Sequence, residues 1–223
     1  MSSPKVLYVL TSHASGWYLP EFAHPYDVLS PYTETIVASP KGGEAPIVEA
    51  SVETYKDDPS CANFYANKKA LWQKTEKVES FLGRADEFRA IFVVGGHGPM
   101  FDLATDPATI QLIREFYESG AVVAAVCHGS AALVNVKLSN GANLVAGHAV
   151  TGFSDSEEEA FGTADEMPFS LETELKTKGG KYSKAMELWG AHVVAGEGKK
   201  LITGQNPASA LPLAEELLKI LKV

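Results

Sequence analysis

The chain has 223 residues, 45% of them apolar and 21% charged, the size and make-up of one globular domain able to bury a sizeable core. Disorder, collagen and repeat arrays are excluded by that balance. With 19 Lys plus Arg against 28 Asp plus Glu, the formal net charge of −9 repels phosphate backbones and anionic lipid heads, so neither nucleic acid nor a membrane surface is expected as a partner. The N-terminus leads straight into the apolar residues 6–10 with no signal region, and no apolar run approaches the roughly 20 residues of a bilayer span. A cytoplasmic or nuclear address is expected, and with it two free thiols, Cys61 and Cys127.

In chain order, short β-branched runs fall at 5–10, 35–39, 90–94, 121–126, 144–150 and 192–195, most of them separated by stretches of helical period. Several are apolar at every position, the mark of parallel strands covered on both faces, so an α/β fold is predicted. Residues 40–67, rich in Gly, Pro, Asp and Ser, read as a lid-like excursion from the core. A helix is predicted over 67–82, stopped by Gly83. A second starts at Asp106-Pro107, carries Ile110, Ile113, Phe116 and Tyr117 on one face, and stops at Gly120. A weaker helix covers 172–178 before Gly179-Gly180. The last follows Asn206-Pro207, its start shifted later by Pro212.

The buried run 121–126 turns directly into a helix at Cys127-His128-Gly129, the layout of a nucleophile elbow. Small residues two before and two after the nucleophile, here Ala125 and Gly129, let strand and helix approach while the middle residue takes a strained conformation. Such a turn aims the Cys127 sulfur out of the C-terminal edge of the sheet, where a helix N-terminus favours the thiolate. A small core hydrophobe is the alternative reading of Cys127; His128, an available proton acceptor, favours the reactive one. Cys61 lacks such surroundings and reads as structural.

The run 90–94 ends in Gly95-Gly96-His97-Gly98, which reaches the same edge, so the amides of Gly96 and His128 are candidates for an oxyanion hole, although glycines end strands for steric reasons in most folds. Glu21 lies at that edge after the first strand. By position alone it reads as a helix-start glutamate; beside a sulfur it would keep its proton near neutrality and move protons at a bound carbonyl carbon. The segment 151–159 offers Glu157, Glu158 and Glu159 as orienting acids for His128, most of them solvated. The six histidines have no close ligand spacing, so no metal centre and no cofactor are expected.

Taken together, Cys127-His128-Gly129, Gly95-Gly96-His97-Gly98, Glu21-x-x-His24-Pro25, Thr151-Gly152-Phe153 and Thr203-Gly204-Gln205-Asn206-Pro207 resemble the ThiJ/PfpI superfamily, in its branch of heat-shock protein 31-like, glutathione-independent glyoxalases (glyoxalase III). The resemblance spans nearly the whole chain. It implies a flavodoxin-like three-layer sandwich with a mostly parallel central sheet, of the class I glutamine amidotransferase-like kind, in a single domain over 1–223 that forms a homodimer. It implies a lyase that converts a small 2-oxoaldehyde, methylglyoxal, plus water to lactate without cofactor. Cys127 would be the nucleophile, His128 its partner, Glu158 the orienting acid and Glu21 the carboxylate touching the sulfur, with Gly95 and Gly96 beside the substrate. A cysteine peptidase or amidase, a stress chaperone and a redox sensor are the competing readings.

Overall fold

The computed structural model describes residues 3–196, 198 and 200–222. Its strands are β1 (Lys5–Val9), β2 (Glu34–Ser39), β3 (Glu76–Lys77), β4 (Ala90–Val93), β5 (Val122–Val126), β6 (Ala149–Val150), β7 (Lys181–Tyr182), β8 (Val193–Ala195) and β9 (Leu201–Gly204). The helices are α1 (Pro20–Leu29), α2 (Glu49–Thr54), α3 (Pro59–Asn67), α4 (Ala70–Gln73), α5 (Gly98–Phe101), α6 (Pro107–Ser119), α7 (Asp155–Phe161), α8 (Leu171–Thr177) and α9 (Ala210–Leu221). Seven strands form one sheet in the order β3-β2-β1-β4-β5-β9-β8, parallel throughout except for the β8–β9 pair. Strands β4 and β5 are buried at every position, as their unbroken apolar sequences require of strands roofed on both faces. Helices α1 and α9 pack together, α9 resting on β5 and β9, while α6 packs on β4 and β5. This is the α/β sandwich anticipated from the alternation of strands and helices.

The connectivity places the cleft. The chain passes from β1 outward to β2 and β3, then returns to β4 on the other side of β1. That reversal opens a crevice beyond the carboxyl ends of β1 and β4, where ligands bind in open α/β sheets. The turns after β4 and β5 both empty into it.

Three expectations need correction. The helix predicted over 67–82 is only α4. Thr75 exchanges backbone hydrogen bonds with Gly43 in both directions and bonds Ser39 Oγ at 2.7 Å, so the chain leaves the helix to pair with β2 as β3, then forms a 3₁₀ turn over Val78–Phe81. Its apolar residues still reach the core, which is why the helical period misled. Of the strand predicted over 144–150, only Ala149–Val150 pairs, with β7. Leu144 and Val145 are buried, but the backbone there turns through Ala146→Asn143 and His148→Val145 hydrogen bonds, with Gly147 left-handed at φ 78°. The strand β9, only four residues long, was not anticipated.

The helix termini follow their cap chemistry. The Asp106 carboxylate accepts from the Thr109 amide, and Gly120 closes α6 in the left-handed region. Asn206 caps a 3₁₀ turn over Pro207–Ser209, and Pro212 falls in the first turn of α9, where no intrahelical N–H is needed.

Residues 40–67 leave the sheet but are tied back to it. Phe64 of α3 is fully buried among Trp17, Phe22 and Trp72, with ring centroids 6.5, 4.8 and 5.5 Å away. Burying one such ring contributes roughly 1.5–3 kcal/mol, and each favourable ring pair about 0.5–1.5 kcal/mol more. The excursion is therefore anchored by an aromatic cluster, and this sets the position of Tyr55, which lines the cleft.

Candidate active site

At the end of β5 the backbone goes from extended at Val126 to φ 57° at Cys127, then into a 3₁₀ turn over Cys127–Leu133. A side chain in the left-handed region costs on the order of 1–3 kcal/mol and persists only where its surroundings enforce it. Here the enforcement is steric. A Cβ on Gly129 would sit 2.6 Å from the Val93 carbonyl oxygen, so only glycine lets the turn descend beside β4. The strain is the geometry of an elbow, and it holds the sulfur at the floor of the crevice, with Cys127 3% exposed.

Four groups converge on that sulfur. The amides of His128 and Gly96 donate toward Sγ, and His128 Nδ1 lies 3.5 Å from it. The fourth is Glu21. The amide of Tyr18, just before α1, donates to the Gly95 carbonyl at 3.1 Å, which ties the start of the helix to the turn after β4. A Cβ on Gly95 would lie 2.2 Å from Glu21 Oε2 and 2.8 Å from Cys127 Cβ; the missing side chain is what lets carboxyl and thiol approach.

Glu21 is wholly buried, and among the described residues neither of its oxygens has a partner in ordinary hydrogen-bond geometry. The Cys127 thiol and the Gly95 amide are the polar groups that act on it, and burial pushes its pKa up to about 8. This is not a helix-start glutamate satisfied by backbone amides. Burial, then the adjacent Glu21, raise the Cys127 thiol well above its ordinary value, against the lowering effect of the two amides. The expectation that the helix start would favour the thiolate is thus corrected: desolvation and a like-charged neighbour outweigh two amide dipoles. Two buried anions in contact repel, so near neutrality both groups keep their protons, and the first to leave comes from Glu21 at about pH 8.

His128 is held from the other side. Its Nε2 lies 2.6 Å from Glu158 Oε2, and Thr163 Oγ donates to the second oxygen of the same carboxylate. His97 Nε2 is 3.6 Å from that second oxygen. Burial opposes the charge on Glu158, but the hydrogen bonds from His128, His97 and Thr163 hold its carboxyl well below the usual range. Burial also lowers the pKa of His128, against the pull of Glu158. A neutral imidazole that donates from Nε2 to Glu158 presents the lone pair of Nδ1 to the sulfur.

The choice among the three adjacent glutamates is made by a capping box. Ser154 caps α7, and Glu157, at the third helical position, reaches back to the Ser154 amide at 3.0 Å. Glu157 also accepts from Gln205 and Asn206 at 2.8 and 2.7 Å, so it is fully engaged. Its neighbour Glu158 then faces His128, and Glu159 is exposed. Glu172, in a segment with no role assigned from sequence, accepts from the Asp155 amide and pairs with Lys176 and Lys184, bracing the start of α7.

The cavity above the sulfur measures about 270 Å³, and its walls are largely aromatic: Tyr18, Tyr55, Phe153, Phe161 and Trp189. His97 and most of this lining were not singled out from sequence. His97 was visible only as the third residue of a glycine turn; its ring lies 4.8 Å from that of His128. Trp189 is in the left-handed region, at φ 64°, in an irregular loop that carries no sequence signal. As possible metal donors, His97, His128 and Glu158 place their atoms within 4.8 Å of one another, as does a second group outside the cleft, His24, Asp58 and Cys61.

Among known proteins, the glutathione-independent glyoxalase HSP31 of Saccharomyces cerevisiae is 28% identical over 249 aligned positions that cover 100% of both chains. The crystal structure of glyoxalase III from Candida albicans superposes with a TM-score of 0.87 at 26% identity, covering 97% of this chain and 96% of that one. The Rapid Encystment Protein 24 kDa of Francisella tularensis superposes with a TM-score of 0.82 at 34% identity, covering 97% and 98%. The profile of the DJ-1/PfpI family matches residues 9–220, and the chain belongs to that family.

Proposed function

We propose that the protein is a glutathione-independent glyoxalase that converts a 2-oxoaldehyde such as methylglyoxal, with water, to the 2-hydroxy acid. The observation that carries this reading is Glu21: a buried carboxyl, its pKa near 8, set against the thiol in addition to a Cys127-His128-Glu158 arrangement. Amide or ester hydrolysis needs a nucleophile, a base and an oxyanion site, and no second acid beside the sulfur. An internal hydrogen shift needs proton carriers on more than one atom. The names of the full-length yeast relative and of the Candida structure support the same reading.

In this mechanism the reacting form has Glu21 ionised, and the Cys127 proton passes to Glu21 as sulfur adds to the aldehyde carbon. The oxyanion forms against the amides of Gly96 and His128 and takes the proton back from Glu21, giving a hemithioacetal. His128 Nδ1 removes the hydrogen from the former aldehyde carbon, leaving an enediolate; the Glu21 carboxylate carries the hydroxyl proton of that carbon to the neighbouring oxygen, and His128 returns its proton to the neighbouring carbon. The product is a thioester of the 2-hydroxy acid. Water, deprotonated by His128, hydrolyses it and restores the thiol. The substrate is oxidised at one carbon and reduced at the next, so no external redox partner enters.

The direct test is proton NMR of methylglyoxal incubated with the pure protein and no added thiol. Lactate is expected; an unchanged spectrum rejects the proposal. Glu158→Gln keeps the shape of the triad but weakens the acceptor that fixes the His128 tautomer. Its kcat should fall roughly 10–100-fold with little change in KM, measured on the same substrate.

A further inference from the structure

Outside the cleft, none of its lining residues included, α1 and α3 bring together a second set of chemically active side chains: His24, Asp58 and Cys61. Asp58 caps α3. Its Oδ1 accepts from the Cys61 amide at 2.8 Å, and this sets the two side chains, three residues apart, on one side of the first turn. Packing of α1 on α3 supplies the imidazole. His24 Nε2 lies 3.2 Å from Asp58 Oδ2 and 3.7 Å from Cys61 Sγ.

A hydrogen-bonded brace between the two helices would need only one of those contacts. One ring nitrogen offers a single N–H or a single lone pair, yet two partners flank it. A cation at the centre uses all three. With bonds of about 2.0 Å to nitrogen and oxygen and about 2.3 Å to sulfur, tetrahedral angles put N and O about 3.3 Å apart and N and S about 3.5 Å apart. The two observed separations, 3.2 and 3.7 Å, lie close to those edges, and the three donor atoms lie within 4.8 Å of one another.

We propose that His24 Nε2, Asp58 Oδ2 and Cys61 Sγ form a binding site for a borderline divalent cation of the zinc type. The donor set selects the ion: a thiolate and an imidazole suit zinc, whereas magnesium and calcium require oxygen. A thiolate and a carboxylate together neutralise a dication, so the bound site is uncharged where it is buried. Cys61 is fully buried, but the side chains of His24 and Asp58 keep 19% and 32% exposure, which leaves an entrance and room for water as the fourth ligand. Binding displaces the Cys61 thiol proton and leaves the imidazole neutral, with its hydrogen on Nδ1. Glu21 lies one turn earlier on α1, so the ion would anchor the helix that carries the acid of the cleft.

The test is Co²⁺ added to the Cys127→Ala protein, in which Cys61 is the one remaining thiol. Near-ultraviolet thiolate-to-cobalt charge transfer and strong tetrahedral visible bands should saturate at one equivalent and be displaced by Zn²⁺. In the same background, Cys61→Ser should remove the charge-transfer band. His24→Gln, at a partly exposed position that does not threaten folding, should weaken Co²⁺ binding at least tenfold, with far-ultraviolet circular dichroism reporting the fold of each variant. Absence of the charge-transfer band from the Cys127→Ala protein, or a band indifferent to His24→Gln, would overturn the assignment.

Discussion

Cys127→Ala is expected to lower the conversion of methylglyoxal by at least about 10⁴-fold, to a residual rate set by general acid–base catalysis and binding alone. The proposed route passes through two covalent species on sulfur, the hemithioacetal and the thioester, and neither has a counterpart without it. The loss should fall on kcat, because the aromatic walls that would hold the substrate are untouched. Folding should survive. Alanine occupies the left-handed conformation at about the same cost as cysteine, and the turn is enforced by Gly129 and β4, not by the sulfur. Far-ultraviolet circular dichroism and the rate of lactate formation, measured on one preparation, check both statements. Turnover retained at the wild-type rate would exclude covalent catalysis and leave only the architecture.

The elbow was legible in the sequence because its requirements are local. An unbroken apolar strand, a small residue two before the cysteine and a glycine two after it state a steric problem with few solutions, and Gly129 against the Val93 carbonyl is that solution in atoms. The convergence of Gly95-Gly96 on the same point was legible for a related reason: both turns follow parallel strands and must leave the sheet at the same edge. Glu158 was not separable from its neighbours by composition. What separates it is the reach of Glu157 back to Ser154 and across to Gln205 and Asn206, nearly 50 residues further along the chain. Contacts of that span leave no periodic trace.

The misread elements fail for the opposite reason. Residues 67–82 bury Trp72, Thr75, Val78 and Phe81 at intervals of three, close to a helical turn, but spacing reports only which side chains are buried. Thr75 found backbone partners in Gly43, and an edge strand plus a 3₁₀ turn buried the same residues at similar cost. The grouping of His24 with Asp58 and Cys61 was equally invisible, since helix packing, not spacing, brings the imidazole across. Even the charge state of the nucleophile resisted prediction. A helix start argued for the thiolate, whereas burial and the apposed Glu21 carboxyl govern the thiol once the fold is complete.

Glu21→Gln separates the competing demands on that pair, and its expected results run in opposite directions. Turnover should fall about 10²–10⁴-fold, the range for loss of a general acid–base group, because glutamine cannot accept the thiol proton or return it to the hemithioacetal oxygen. Alkylation of Cys127 by iodoacetamide at pH 9, where Glu21 is ionised in the wild type, should become faster. Removing a like-charged neighbour lowers the thiol pKa, and the amides of His128 and Gly96 remain to favour the anion. Stability should shift as well. In the folded protein Glu21 keeps its proton up to about pH 8, whereas an unfolded glutamate releases it near 4.5, so the native state binds the extra proton between those values. Wild-type stability therefore declines as pH rises through that window, by about 1.4 kcal/mol per pH unit and about 4 kcal/mol from pH 5 to pH 8. Glutamine does not titrate, so urea denaturation at the two pH values should find the difference between variant and wild type moving in the variant's favour by that order. Parallel pH dependences in the two proteins would mean that Glu21 is ionised across the range, and alkylation left unchanged or slowed would mean that its charge does not hold the thiol pKa up; either result would require the proton relay to be rebuilt on His128 alone.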